Sequence, residues 1–320
     1  MSSVTLNIFT IIVSVEFLMG NLGNGFIILV NCMDLINSRK ISVVDHLLTA
    51  LAISRISLLW LLFTNWWKAV FFPTFWMNII MVRILYMVWI VTCHFSMWLA
   101  TCLSLFYCLK IATFSNSIFL YCKWRVKKVV SVMLLVSLVL LLLQLLQSNM
   151  HLDMLIDEYE RNTSYRSSFP DFLEFSKLLL YSNTLFTFTA FALSLITFLL
   201  LIFSLWKHLK RTQHSVRGSR DVSTKAHIQA LQAVVIFLLL YTTFFLSIFM
   251  QLWKFEFSNI LYFYFCQIGE ITFPSIHSFV LILGNNKLKQ AYLSVLKWLK
   301  CVGPKMNLRV HKPFGGCCIF

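Results

Sequence analysis

Charge is scarce in this sequence: 12% of its 320 residues are Asp, Glu, Lys or Arg, against 59% in the hydrophobic class. Soluble domains carry about 25% charged residues, so a freely soluble fold is excluded. Catalytic signatures are missing as well, with no H-E-x-x-H, no G-x-S-x-G and no phosphate-binding glycine loop. The nine cysteines (Cys32, Cys93, Cys102, Cys108, Cys122, Cys266, Cys301, Cys317 and Cys318) lack the paired spacing of a zinc site or a disulfide framework. Glu16 and Glu270 are acids within apolar runs, but no aspartate lies in the middle of one, as an intramembrane di-aspartyl protease would require. Internal repeats are absent too, and the lack of inverted ones counts against a transporter. No basic segment precedes the first apolar run and no small-residue cleavage site follows it, so that run is expected to be a membrane span rather than a removed signal peptide.

What is present is apolar length. Mean hydropathy is +0.79, and runs long enough to cross about 30 Å of hydrocarbon recur at 7–31, 46–70, 84–110, 128–149, 180–206, 228–253 and 259–283. In lipid only helices and closed barrels satisfy the backbone, and a barrel's ten-residue alternation is missing, so each run is read as a helix. The expected fold is an all-α membrane protein, a seven-transmembrane helix bundle. An amphipathic surface helix follows in "NNKLKQAYLSVLKWLK", where Leu288, Ala291, Leu296 and Leu299 alternate with lysines. The bundle with this helix is assigned to 1–300 and a cytoplasmic tail to 301–320.

The formal net charge of +15 is carried between spans, which points to membrane orientation rather than to nucleic acid. With the N-terminus outside, the inner side receives Arg39, Lys40, Lys123, Arg125, Lys127, Lys128, the cluster from Lys207 to Lys225 and the lysines of the tail. The outer side receives Asp153, Asp157, Glu158, Glu160, Asp171 and Glu174. The positive-inside bias therefore sets the N-terminus out, and the acceptor tripeptide Asn162-Thr163-Ser164 falls in an outer loop at 150–179, where a glycosylated asparagine must be.

Polar groups inside spans are costly and are functional candidates by default. Asn24 and Arg55 lie at similar depth on neighbouring antiparallel spans and are assigned to an interhelical network, with Gly20 and Gly23 allowing close backbone approach. Glu270 shares a helical face with Gln267 and Pro274. Either it pairs internally, with Arg55 the obvious partner, or it lines a hydrated cavity where a cation could bind. Trp89 and Cys93 share a face of the third span, with His94 and Trp98 nearby. Together with Tyr181, Phe186, Tyr241, Phe244 and Phe245 they could line an apolar cavity or face lipid; spacing does not separate the two. His94 and His277 have no carboxylate at metal-ligand spacing and read as hydrogen-bonded core histidines. No metal or cofactor is implied.

Four stretches, "LAISR" at 51–55, "FYCLKIA" at 106–112, "LIFSLWKH" at 201–208 and "HSFVLILGNNKLK" at 277–289, occur in order and each at its proper place in the topology. From the first span to about Trp298 the sequence resembles the bitter taste receptors, the type 2 taste receptors among the seven-helix G-protein-coupled receptors, and most of all their broadly tuned members. The resemblance implies a multi-pass plasma-membrane receptor for bitter small molecules that activates a heterotrimeric G protein of the gustducin type. It implies a pocket lined by Trp89, Cys93, His94, Phe186, Phe244, Gln267 and Glu270, with Cys93 where broadly tuned relatives often carry Asn. Phe106, Tyr107 and Lys110 stand in place of the acidic-Arg-Tyr triplet of other receptors, and Pro274, His277 and Ser278 in place of Asn-Pro-x-x-Tyr. Tyr107, Lys110, His208, Arg211 and His227 are expected to flank the G-protein cavity, although inner basic residues also bind anionic lipid headgroups, the reading preferred for Lys123 to Lys128. Activation is expected as a population shift through packing near Tyr241, Pro274 and His277.

The final four residues, Cys317-Cys318-Ile319-Phe320, have the form of a prenylation box, and Cys301 is a palmitoylation candidate. The rival readings are a pheromone-type chemosensory receptor and, from another class, a transporter of small organic molecules.

Overall fold

The computed structural model describes residues 3–37, 41–72, 79–162, 169–213, 221–250 and 260–310. Its helices are α1 (Ser3–Ile36), α2 (Val43–Phe71), α3 (Ile79–Ile111), α4 (Ser117–Trp124), α5 (Val126–Asn162), α6 (Phe169–Gln213), α7 (Asp221–Met250), α8 (Ile260–Gly284) and α9 (Asn286–Val310). Seven of them, all but α4 and α9, are long and apolar enough to span a membrane. The chain is a seven-helix membrane bundle. Lipid-facing sides carry exposed apolar residues such as Leu22, Leu185 and Leu239, as expected where hydrocarbon is the solvent.

Neighbours follow the chain, α1 on α2, α2 on α3, α6 on α7 and α7 on α8, and α8 closes the ring against α1. α3 runs through the middle, touching α2, α5 and α6, while α8 also reaches α2. Without a hydrophobic force between helices in lipid, small residues set how closely they approach. Gly20 faces Leu59 and Ser275, and a Cβ on Gly23 would overlap Ser278 Oγ. α1 thus lies flush against α8, and Asn24 Nδ2 donates across the seam to Pro274 O at 3.0 Å.

Local signals fix the ends. Ser42 and Asp45 form a reciprocal capping box that starts α2, an arrangement worth about 1 kcal/mol. Asn116 Oδ1 accepts from Ile118 N at 2.9 Å and starts the short α4, a helix the hydropathy does not foretell. Outside the bilayer, α5 continues to Asn162 and α6 begins at Phe169, so much of the expected 150–179 loop is helical. At those outer ends Arg83 pairs with Asp153 at 2.7 Å.

α9 is amphipathic, as its lysine spacing predicts, and is pinned at its start. Asn285 Oδ1 accepts from Lys287 N at 3.0 Å. The Lys287 side chain turns inward to Asp34 at 2.7 Å, Asp45 at 3.1 Å and Asn31 Oδ1 at 2.9 Å, tying α9 to the inner ends of α1 and α2. Burial alone would lower the Lys287 ammonium, but its hydrogen bonds and the charges of Asp34 and Asp45 hold it above the ordinary lysine value. Because the folded value is raised, this stabilisation is complete below the unfolded lysine value of about 10.4 and is lost as pH climbs through the folded one. Lys287→Met is expected to lower stability by about 1 kcal/mol, the partial exposure of the pair setting the small size. Thermal unfolding at pH 7 checks this, and an unchanged midpoint would contradict it.

Candidate functional site

The outer half of α3 presents Cys93, His94, Met97 and Trp98 to a crevice closed by Gln144 of α5 and by Asn183, Phe186 and Thr187 of α6. Its volume is about 10 Å³, room for about one water molecule. The 3.6-residue period puts Cys93 and Met97 on one stripe of α3 and His94 and Trp98 on the next. His94 is buried, stacked on Trp98 at 5.8 Å, and it approaches Gln144 and the Ser137 carbonyl. Gln144 Nε2 donates to Asn183 Oδ1 inside the wall, and Asn183 Nδ2 is buried without a partner.

Three of the residues expected to line a pocket (Cys93, His94 and Phe186) meet in this crevice. Trp89 stands one turn further out on α3, half-buried and stacked on Tyr86. On α8, Glu270 and Gln267 are wholly enclosed. Tyr241 and Phe244 of α7 lie beneath, packed on Phe273 at 5.2 Å each. The Tyr241 hydroxyl is 3.3 Å from Thr101 Oγ1 and 3.4 Å from Met97 O.

Below that floor runs a ladder of hydroxyls. Ser194 Oγ donates to Thr101 Oγ1 at 2.8 Å, and Ser104 Oγ lies 2.8 Å from Thr197 Oγ1 one turn nearer the cytoplasm. α3, α6 and α7 are thereby linked between crevice and inner face. Neither this ladder nor the Gln144–Asn183 pair was anticipated. Gln144 inside "LLLLQLLQ" was the available signal, an amide enclosed by leucines.

The network residues divide. Asn24 is bonded across the α1–α8 seam. Arg55 does not reach Glu270; its guanidinium lies over the Phe273 ring, 4.7 Å from the centroid. His277 stacks on the same Phe273 ring, 5.4 Å between centroids, and Ser278 is buried in the α1–α8 seam. Pro274 interrupts α8 and leaves the Glu270 carbonyl without its helical N–H. Glu16 accepts from Thr272 Oγ1 at 2.9 Å rather than pairing with Glu270.

At the inner face, Tyr107 is half-buried within electrostatic reach of Asp45, and Lys110 is exposed, 5.8 Å from the Phe106 ring. The side chains of His208, Arg211 and His227, and those of Asn162 and Cys301, lie outside the described residues, as does Cys317.

A family model described as taste receptor protein (TAS2R) matches residues 1–300. The chain belongs to the taste receptor family. The receptor is 51% identical over 314 residues to "Taste receptor type 2 member 14" of Homo sapiens, an alignment covering 98% of this chain and 99% of that one. It is 52% identical over 303 residues to the protein of the same name from Macaca mulatta, covering 94% of each. To "Taste receptor type 2 member 125" of Rattus norvegicus it is 52% identical over 293 residues, covering 91% of this chain and 93% of that one. The receptor is accordingly a bitter taste G-protein-coupled receptor of the plasma membrane, crossing it seven times, and not an enzyme. The transporter and pheromone-receptor readings fall with that membership.

Proposed function

We propose that the receptor binds bitter small molecules between α3, α6, α7 and α8 in its outer half and activates a heterotrimeric G protein of the gustducin type at its inner face. The observation that carries this reading is the placement of buried polar side chains, Cys93, His94, Gln267 and Glu270, among aromatics at one depth above Tyr241. A few buried polar groups set among aromatic walls are what a largely apolar ligand site uses for orientation. Trp89, Phe186 and Phe244 supply its apolar walls, and Tyr107, Lys110, His208, Arg211 and His227 its G-protein-facing counterpart.

The crevice is small in this conformation, so an agonist must bind a more open bundle better than this one. That differential affinity is what shifts the population. The Tyr241–Phe273–His277 stack and the hydroxyl ladder join the floor of the site to the inner halves of α3, α6, α7 and α8, and small displacements at the floor are transmitted through such packed contacts. Calcium release in cells given the receptor and a gustducin-like chimera is the test. Agonist-dependent release that needs the chimera is expected, and release that is the same without it contradicts gustducin-type coupling.

A further inference from the structure

Arg55 stands midway along α2 and is fully enclosed, with Nε, Nη1 and Nη2 all buried and making no hydrogen bond among the described residues. One face of its guanidinium is covered by Phe273, whose ring also packs on Tyr241 and His277. A ring quadrupole offsets part of a cation's burial, but it accepts nothing from the five N–H groups of the fork. A buried charge persists only when it is paired and hydrogen-bonded. Among the described residues no carboxylate forms an ion pair with Arg55; Glu16 accepts from Thr272, and Asp34 and Asp45 hold Lys287.

Other unsatisfied groups lie within about one helical turn of it. Gly20 of α1 faces both Leu59 of α2 and Ser275 of α8, so Asn24 and Arg55, each one turn nearer the cytoplasm, share a depth. Asn24 uses its amide nitrogen on Gly20 O and Pro274 O, and its Oδ1 is buried and unpaired. Ser275 Oγ is buried and unpaired as well.

We propose that this cluster binds a halide-sized monovalent anion, held by the Arg55 guanidinium and by the hydroxyl of Ser275. Water would satisfy the N–H groups but not the charge; an anion does both. Only a small one fits among helices packed as closely as α1, α2 and α8. Asn24 Oδ1 accepts rather than donates, so it marks the side where a bridging water donates to it. The site lies inward of Glu270 and is separate from the agonist crevice.

The experiment is thermal unfolding of the purified full-length receptor in lipid nanodiscs, titrated with chloride, bromide or gluconate at constant ionic strength. Chloride and bromide are expected to raise the midpoint saturably, by about 3 °C at high occupancy, and gluconate to leave it unchanged. Arg55→Gln should be flat, and Arg55→Lys should keep part of the response. Asn24→Asp places a carboxylate at the level of the guanidinium and should abolish the chloride response in a folded receptor, which decides the matter where Arg55→Gln does not fold. A wild-type midpoint that is identical in chloride and gluconate, leaving water as the occupant, overturns the proposal. A chloride response that survives in Asn24→Asp or Arg55→Gln overturns it too.

Discussion

Gly20→Leu is expected to remove the receptor from the cell surface, while Gly25→Leu, five residues along the same helix, leaves surface delivery near normal. A Cβ at Gly20 would stand 2.6 Å from Leu59 Cδ1, 2.7 Å from Ser275 Oγ and 3.1 Å from Ser275 Cα. The first two atoms can move a little. The third is backbone and cannot, so α1 must retreat from α2 and α8 together, and a leucine adds three further carbons to that strain. Overpacking by a few methylenes costs about 1–3 kcal/mol, and the retreat also breaks the buried bond from Asn24 to Pro274 O, worth about 1 kcal/mol more. Against a total stability of about 5–15 kcal/mol, losses of this size raise the unfolded fraction about 30-fold or more, which cellular quality control turns into a several-fold or greater loss of surface receptor. At Gly25 a Cβ meets nothing within 4 Å, so helix propensity alone would favour the leucine slightly. Surface immunolabelling of the two variants side by side measures the difference. Equal delivery of both would mean that the α1–α8 seam is not set by Gly20.

The spans were legible because the bilayer imposes one rule along the whole chain: each crossing must be about 20 apolar residues of helix. That rule says where lipid is and not where a helix stops. Hence α5 and α6 run well beyond the apolar segments, and α4, fixed by the Asn116 cap, went unread. Costly single residues were legible for a related reason. Glu270, Arg55 and Asn24 stand out in apolar runs, and all three are buried in the bundle. Their partners were not legible, since pairing depends on the rotation and depth of helices distant in sequence. Arg55 therefore looked like a mate for Glu270 but lies on Phe273. Lys287 read as one more base on the inner leaflet, and it is turned inward to Asp34 and Asp45. Neutral amides left the weakest trace, which is why the Gln144–Asn183 wall of the crevice was missed.

Glu270→Gln is expected to cost cationic agonists about 10- to 100-fold in potency. The residue is 1% exposed, on the outer half of α8 and one turn inward of the buried Gln267. A carboxylate and an ammonium 4 Å apart attract by about 4 kcal/mol at an effective dielectric near 20. Desolvating both partners returns part of that, leaving about 1.5–3 kcal/mol, which is the stated change in affinity. Glutamine preserves shape and hydrogen bonding but not charge, so neutral agonists should lose little.

The most direct measurement uses an isosteric pair of bitter agonists, one a tertiary amine and the other its neutral carbon analogue. Full concentration–response curves are recorded for both on wild-type receptor and on Glu270→Gln, with surface expression matched. A carboxylate inside the agonist site predicts that the amine curve alone moves to higher concentration. Two curves that stay in place, or that move by the same factor, would place Glu270 outside the site.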